Sequence, residues 1–181
     1  MDTSTVRIYN LDQYNYPRFR GKIVELYLNA FTTGDYAQYY STATAESKLD
    51  ELIRKGSGNM AFIGDRLAGV LLAFDLKKDH DFPTVSCPQI PVDSSVYIAE
   101  LMVHSDFRGR GVATDLMNNY LSQAAINCTD AVIRVWKDNK PAMMLYKKMG
   151  FIPVATFFQQ KIRVTGEPFE MEKFYLHKSL K

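Results

Sequence analysis

Two rhythms of apolar and polar residues alternate along this chain, and their order predicts an α/β fold. Short apolar runs at 6–9, 60–63, 67–76, 97–103, 131–136, 151–162 and 169–177 read as strands. Between them, apolar residues recur every three to four positions at 21–31, 45–55, 112–124 and 142–149, the spacing of helices that bury one face. In the first helix Ile23, Val24, Leu26, Tyr27 and Phe31 form the stripe; in the second, Leu49, Leu52 and Ile53 point inward and Gly56 is the stop. Gly64-Asp65-Arg66 separates two strands as a hairpin turn, and Thr165-Gly166-Glu167-Pro168 joins the last two. Strand 97–103, helix 112–124 and strand 131–136 make a parallel βαβ unit. The sum is one domain over 1–181, with a mixed central sheet of about seven strands and helices on both faces. The longest irregular segment, 77–95, carries Pro83, Pro88 and Pro91, and reads equally as a lid or as a surface insertion.

The pattern is organised around 97–125. Its strand is apolar at odd and even positions alike, which fits a central strand covered on both faces. Glu100 alone interrupts it, with Ile98 and Met102 expected on the same face by strict alternation. His104 to Phe107 follow, then Arg108-Gly109-Arg110-Gly111-Val112-Ala113, and then a helix whose stripe is Val112, Leu116, Tyr120 and Ala124. The first turn of that helix leaves its backbone N–H groups without intrahelical acceptors, and the macrodipole favours negative charge there. Two glycines permit close approach and positive φ. The junction is therefore suited to phosphate or pyrophosphate, although a basic strand-to-helix turn with no ligand has the same residues.

Spacing narrows the ligand. The chain has no G-x-x-x-x-G-K-[ST] loop, and a dinucleotide fingerprint begun at Gly109 and Gly111 would need glycine where Thr114 stands. The segment does fit R-x-x-G-x-A at Arg108, Gly111 and Ala113. It resembles the acyl-CoA pyrophosphate loop of the GNAT superfamily of N-acetyltransferases. A second segment, 135–151, is similar to another GNAT motif, in which a strand is followed by Asn and by a short helix bearing Tyr before Gly-Phe. The matching positions are Asn139, Ala142, Tyr146, Gly150 and Phe151.

Composition changes the picture little. Of 181 residues, 46% are apolar and 23% charged, a soluble globular balance. A formal charge of +2 gives no ground for nucleic acid or an anionic membrane as partner. Cys87 and Cys128 are too few for a disulfide framework, and His80, His104 and His177 are scattered, so no metal is expected. The first eleven residues lack an apolar signal core, no membrane-length apolar run appears, and a cytoplasmic protein is the expectation.

The resemblance implies acetyl transfer from acetyl-CoA, as cosubstrate, to an amine within a ternary complex. An alkyl amine of pKa near ~10.4 is neutral in about one molecule per few thousand at pH 7, a deprotonation costing about 4–5 kcal/mol of barrier. Glu100 is the candidate base; it could instead bind the substrate ammonium or be structural. The resemblance gives Tyr146 the role of acid for the departing thiolate, against a purely packing tyrosine. It implies pantetheine pairing with the backbone of Leu101, Met102 and Val103, where the central strand splays from its neighbour. Pyrophosphate would rest on the amides of Arg108, Gly109, Arg110, Gly111, Val112 and Ala113. Asn139 either touches the pantetheine or caps its helix, and Lys137, Lys140, Lys147 and Lys148 are nucleotide contacts or solvated charge. Tyr36, Tyr39 and Tyr40 either close a core edge or line an acceptor pocket.

The stretch 100–111 looks especially like polyamine-type acetyltransferases, so a small-molecule amine is the expected acceptor. A protein or peptide acceptor, or a non-catalytic acyl-CoA-binding module, are the alternatives. The hairpin 151–177 offers an edge for homodimer pairing.

Overall fold

The computed structural model describes residues 5–33 and 37–181; Tyr36, one of the clustered tyrosines, lies outside them. The elements in chain order are β1 (Val6–Leu11), α1 (Tyr16–Thr32), α2 (Thr42–Lys55), β2 (Ser57–Ile63), β3 (Arg66–Asp75), β4 (Ser95–Val103), α3 (Val112–Ala124), β5 (Asp130–Trp136), α4 (Lys140–Lys148), β6 (Ile152–Ile162) and β7 (Pro168–Ser179). They form the α/β architecture that the apolar rhythms predict. The seven-stranded sheet runs β1-β2-β3-β4-β5-β7-β6, antiparallel throughout except for the parallel β4–β5 pair.

Each sheet face carries its own core. On one side α1 and α2 bury Tyr27, Leu49, Met60, Leu72, Met102 and Tyr175. On the other, α3 and α4 bury Leu71, Ile98, Val112, Leu116, Ile133 and Tyr146. The middle strands are therefore apolar at every position, because both faces are covered. The α3 stripe is cut back from its expected width: Val112, Leu116, Met117 and Leu121 are buried, whereas Tyr120 and Ala124 are only half-buried.

Several boundaries differ from the expectations. α1 starts at Tyr16, five residues before 21, with Pro17 in its first turn, where a missing N–H costs nothing. Arg18, Arg20 and Lys22 obscured this turn because they interrupt its apolar period. α2 starts at Thr42, since the Ser41 hydroxyl accepts the Thr44 N–H at 3.1 Å and caps the helix. β2 includes Gly58 and Asn59, where polarity and a missing side chain disguised a strand. A Cβ at Gly58 would sit 1.8 Å from the Leu71 carbonyl oxygen, so only glycine suits that approach.

The 77–95 segment is packed into the core and is not a loose surface insertion. Phe82, Cys87 and Ile90 are buried, and Phe82 meets the Tyr175 ring edge-on at 5.3 Å. The segment seals the end of the α1–α2 core.

One irregularity fixes the site. β4 opposes β3 with Ala73 against Ile98 but Leu72 against Glu100, so Ala99 is an extra, unopposed residue. Such a bulge bends its strand and breaks alternation. Ile98 packs with α3, while Glu100, opposite Leu72, shares the α1–α2 face with Met102. The expectation that Ile98 and Glu100 share a face is thereby corrected.

Candidate active site

The bulge opens the sheet. β4 and β5 are paired only from Ser95 with Asp130 to Ile98 with Ile133. β4 stays paired with β3 as far as Val103, and β5 with β7 as far as Trp136. The two middle strands therefore separate as a V beyond Ile98, leaving the β5-facing backbone groups of 99–103 without a strand partner. Unpaired backbone polar groups need a partner or water. A cleft of about 740 Å³ fills the V, with Leu101, Val103, Val135, Asn139, Tyr146 and Gly111 among its walls. Met102 turns its side chain, 1% exposed, into the α1–α2 core and, unlike Leu101 and Val103, is not one of the cleft's walls.

At one end of this cleft lies the glycine loop. Gly109 and Gly111 have φ of 74° and 81°, the left-handed region that favours glycine. The first intrahelical bond of α3 runs from the Asp115 N–H to the Gly111 carbonyl at 3.0 Å, so the N–H groups of Val112, Ala113 and Thr114 have no acceptor within the helix. Gly109, Gly111, Val112 and Ala113 line the cleft directly. The two arginines behave differently from each other. The Arg108 guanidinium donates to the Ala30 carbonyl at 3.2 Å, tying the loop to the end of α1. Arg110 lies over the Phe107 ring at 5.7 Å and is not a cleft wall.

Near the middle of the cleft, β4 and α4 bring Glu100 and Tyr146 to a common space. Glu100 is buried, and Lys48 of α2 places Nζ 2.5 Å from its Oε1. Burial opposes the Lys48 charge, but the Glu100 carboxylate more than offsets this, and the lysine pKa is raised. Tyr146 is 5% exposed and packs edge-on against Phe151, with ring centroids 6.0 Å apart. Burial, reinforced by the Glu100 charge, holds its phenol well above the ordinary tyrosine value, in the protonated form. Asn139 caps α4, its Oδ1 accepting the Ala142 N–H at 3.2 Å, which leaves its amide NH₂ available to the cleft.

Beyond Glu100 the cleft widens into a second hollow of about 690 Å³, with Tyr40, Lys48, Arg134, Gln159 and Lys161 common to both. Tyr40 stacks edge-on against the buried Tyr27 at 5.2 Å and also faces this space, so it closes a core edge and lines the hollow at once. Tyr39 is 61% exposed and lines neither. Lys137 pairs with Glu172, while Lys140, Lys147 and Lys148 are exposed. Lys48, Arg134, Lys161 and Lys173 carried no local signal in the sequence. They come from α2, β5, β6 and β7 and meet only because the sheet order sets β7 beside β5.

Among the described residues no group of three or more His, Cys, Asp or Glu side chains is arranged to hold a metal ion, and no helix is long and apolar enough to cross a membrane.

The model of the acetyltransferase (GNAT) family matches residues 20–151. No curated relative matches the chain in sequence. Among solved structures, an N-acetyltransferase from Staphylococcus aureus Mu50 superposes with a TM-score of 0.71 at 13% identity, covering 98% of this chain and 99% of that one. The Salmonella typhimurium protein yncA, solved with its cofactor acetyl-CoA, gives 0.69 at 15% identity over 98% of this chain and 95% of its own. The ribosomal-protein-S18-alanine N-acetyltransferase of Escherichia coli gives 0.69 at 11% identity, again over 98% and 95%. At these identities the likeness is one of fold.

Proposed function

The chain belongs to the acetyltransferase (GNAT) family, and on that premise we propose that it moves the acetyl group of acetyl-CoA directly onto the primary amine of a small molecule. The observation that carries this reading is the V between β4 and β5, which joins an anion-accepting helix terminus to a buried carboxylate and a buried phenol in one cleft.

The residues divide the work as follows. Amides at the start of α3 take the pyrophosphate of the acetyl donor. The unpaired edge of Leu101 to Val103 hydrogen-bonds its pantetheine as an added strand would, and the Asn139 amide adds a donor. A backbone N–H near Met102 or Val103 receives the thioester oxygen as negative charge develops there, an effect worth a few kcal/mol when preorganised. The amine enters from the hollow and gives its proton to Glu100, directly or through water. Nitrogen bonds to the acetyl carbon, the carbon–sulfur bond breaks, and the sulfur takes the Tyr146 proton as it departs. Lys48 holds the carboxylate in place for this exchange.

A small acceptor suits the hollow's volume, which falls in the range of small-molecule sites. The test is thiol release from acetyl-CoA in the presence of a panel of amines and peptide N-termini. Turnover with small amines supports the reading, turnover with peptides alone reassigns the acceptor, and tight binding of acetyl-CoA with no turnover on any amine reduces the protein to an acyl-CoA-binding module.

A further inference from the structure

The part of the cleft next to Glu100 is walled by cations. Lys161 on β6 and Lys173 on β7 lie on one face of the sheet. Lys161 pairs with Phe169, and Lys173 with Phe157 on one side and Trp136 on the other, so register alone turns both toward the α1–α2 side. Arg134 of β5, opposite Tyr175, and Lys48 of α2 complete the wall. Two of the four are already neutralised: Lys48 by Glu100 at 2.5 Å, and Arg134 by Asp81 at 3.1 Å. The other two are not. Among the described residues neither Lys161 nor Lys173 has a carboxylate within 4.0 Å. Lys161 donates to the Tyr40 hydroxyl at 3.0 Å, and Lys173 to the Gln159 amide oxygen at 2.8 Å, both neutral acceptors. Glu51, the acidic residue lining the adjoining hollow, is held by Lys55 at 2.6 Å.

Charges taken out of water are kept where something repays the loss. Lys173 has no carboxylate close enough to pair with; burial, with Lys161 and Arg134 as like charges nearby, outweighs the pull of Glu100 and brings that pKa down to about 7. An anion between the two lysines would restore the Lys173 charge and satisfy the donors left over, since each ammonium carries three.

We infer that the acceptor is an amine bearing an anionic group, a carboxylate or a phosphate, which Lys161 and Lys173 bind while the amine reaches Glu100. The inference rests on the acetyl-transfer reading above and adds the acceptor's chemistry to it. An aliphatic polyamine, cationic along its length, is the wrong partner for this wall, whatever the central loop resembles. Glu100 is already paired with Lys48, and Lys161 and Lys173, without carboxylate partners among the described residues, would repel one.

The test uses the full chain and matched acceptors: 4-aminobutyrate against 4-aminobutanamide, O-phosphoethanolamine against ethanolamine, and spermidine, each followed by thiol release from acetyl-CoA. The carboxylate and phosphate arms distinguish the two sources of charge. At least one anionic acceptor should exceed its neutral twin by about 10- to 100-fold in kcat/KM, the effect of a charge-assisted pair of hydrogen bonds. K161Q/K173Q should bring that acceptor down to the level of its twin, chiefly through KM, and K173Q alone should recover part of the loss. Equal turnover of twins, a preference for spermidine, or an anion preference that survives in K161Q/K173Q would overturn the inference while leaving acetyl transfer standing. Absence of thiol release with every acceptor and with peptide N-termini, with acetyl-CoA still bound, would overturn the acetyl-transfer reading itself.

Discussion

Lys48 Nζ reaches from α2 to within 2.5 Å of Glu100 Oε1 on β4. The contact pins a helix to the bulged part of the central strand and sets how the Lys48 charge responds to pH. The Lys48 pKa stands above the ordinary 10.5, burial opposing the shift and the Glu100 charge outweighing it. A raised folded value means the pair's contribution to stability is fully present below the unfolded pKa and is lost as pH rises through the folded one. Thermal melts carried above about pH 10.5 should therefore show a steeper alkaline loss for the native protein than for E100Q, in which the largest charge opposing the burial of Lys48 is gone.

E100Q also removes the proposed proton acceptor while keeping the side chain's shape. Its kcat should fall by about 10²–10⁴-fold, the usual contribution of a general base. Steady-state thiol release at saturating amine checks this. If Glu100 only binds the substrate ammonium, the loss will appear in KM for the amine instead.

Y146F keeps the ring that packs against Phe151 and deletes only the hydroxyl. Because burial holds that hydroxyl protonated, it is suited to give its proton to a departing thiolate. The expected result is a fall in kcat of about 10²-fold, with little change in melting temperature and none in acetyl-CoA affinity. Calorimetric titration beside kinetics separates the two.

The glycine loop should be sensitive to geometry more than to side-chain charge. Gly111 has φ of 81° and open space where a Cβ would stand, so G111D strains the backbone and sets a carboxylate beside the amides meant for pyrophosphate. Acetyl-CoA Kd should rise more than about 100-fold, from strain and repulsion together. R110A removes a side chain that stacks on Phe107 outside the cleft, and its Kd should rise less than about 10-fold.

Lys173 provides a pH test with the opposite sign from Lys48. Its folded pKa of about 7 lies below the ordinary 10.5, so its charge costs stability below pH 7, and this cost is relieved as pH rises toward 10.5. K173M should therefore raise the melting temperature more at about pH 6 than at about pH 9. An equal effect at both pH values would mean the lysine is well solvated.

The sequence by itself determined the strands and helices of both cores, because apolar period is a local property and both faces of the middle strands are covered. It also determined the glycine loop, since only the Gly109 and Gly111 backbones suit positive φ ahead of a helix, and the α4 cap at Asn139. Residues 57–59 and 16–20 were illegible for the same reason in reverse: their elements are held by approach and by distant packing, which leave no apolar period. Tertiary structure alone decided the bulge at Ala99, which depends on how β3 registers against β4 and moves Glu100 off the face that alternation assigned to it. It alone also decided the cationic wall. Lys48, Arg134, Lys161 and Lys173 stand in four separate elements, and the charge they place around Glu100 exists only because β7 inserts between β5 and β6.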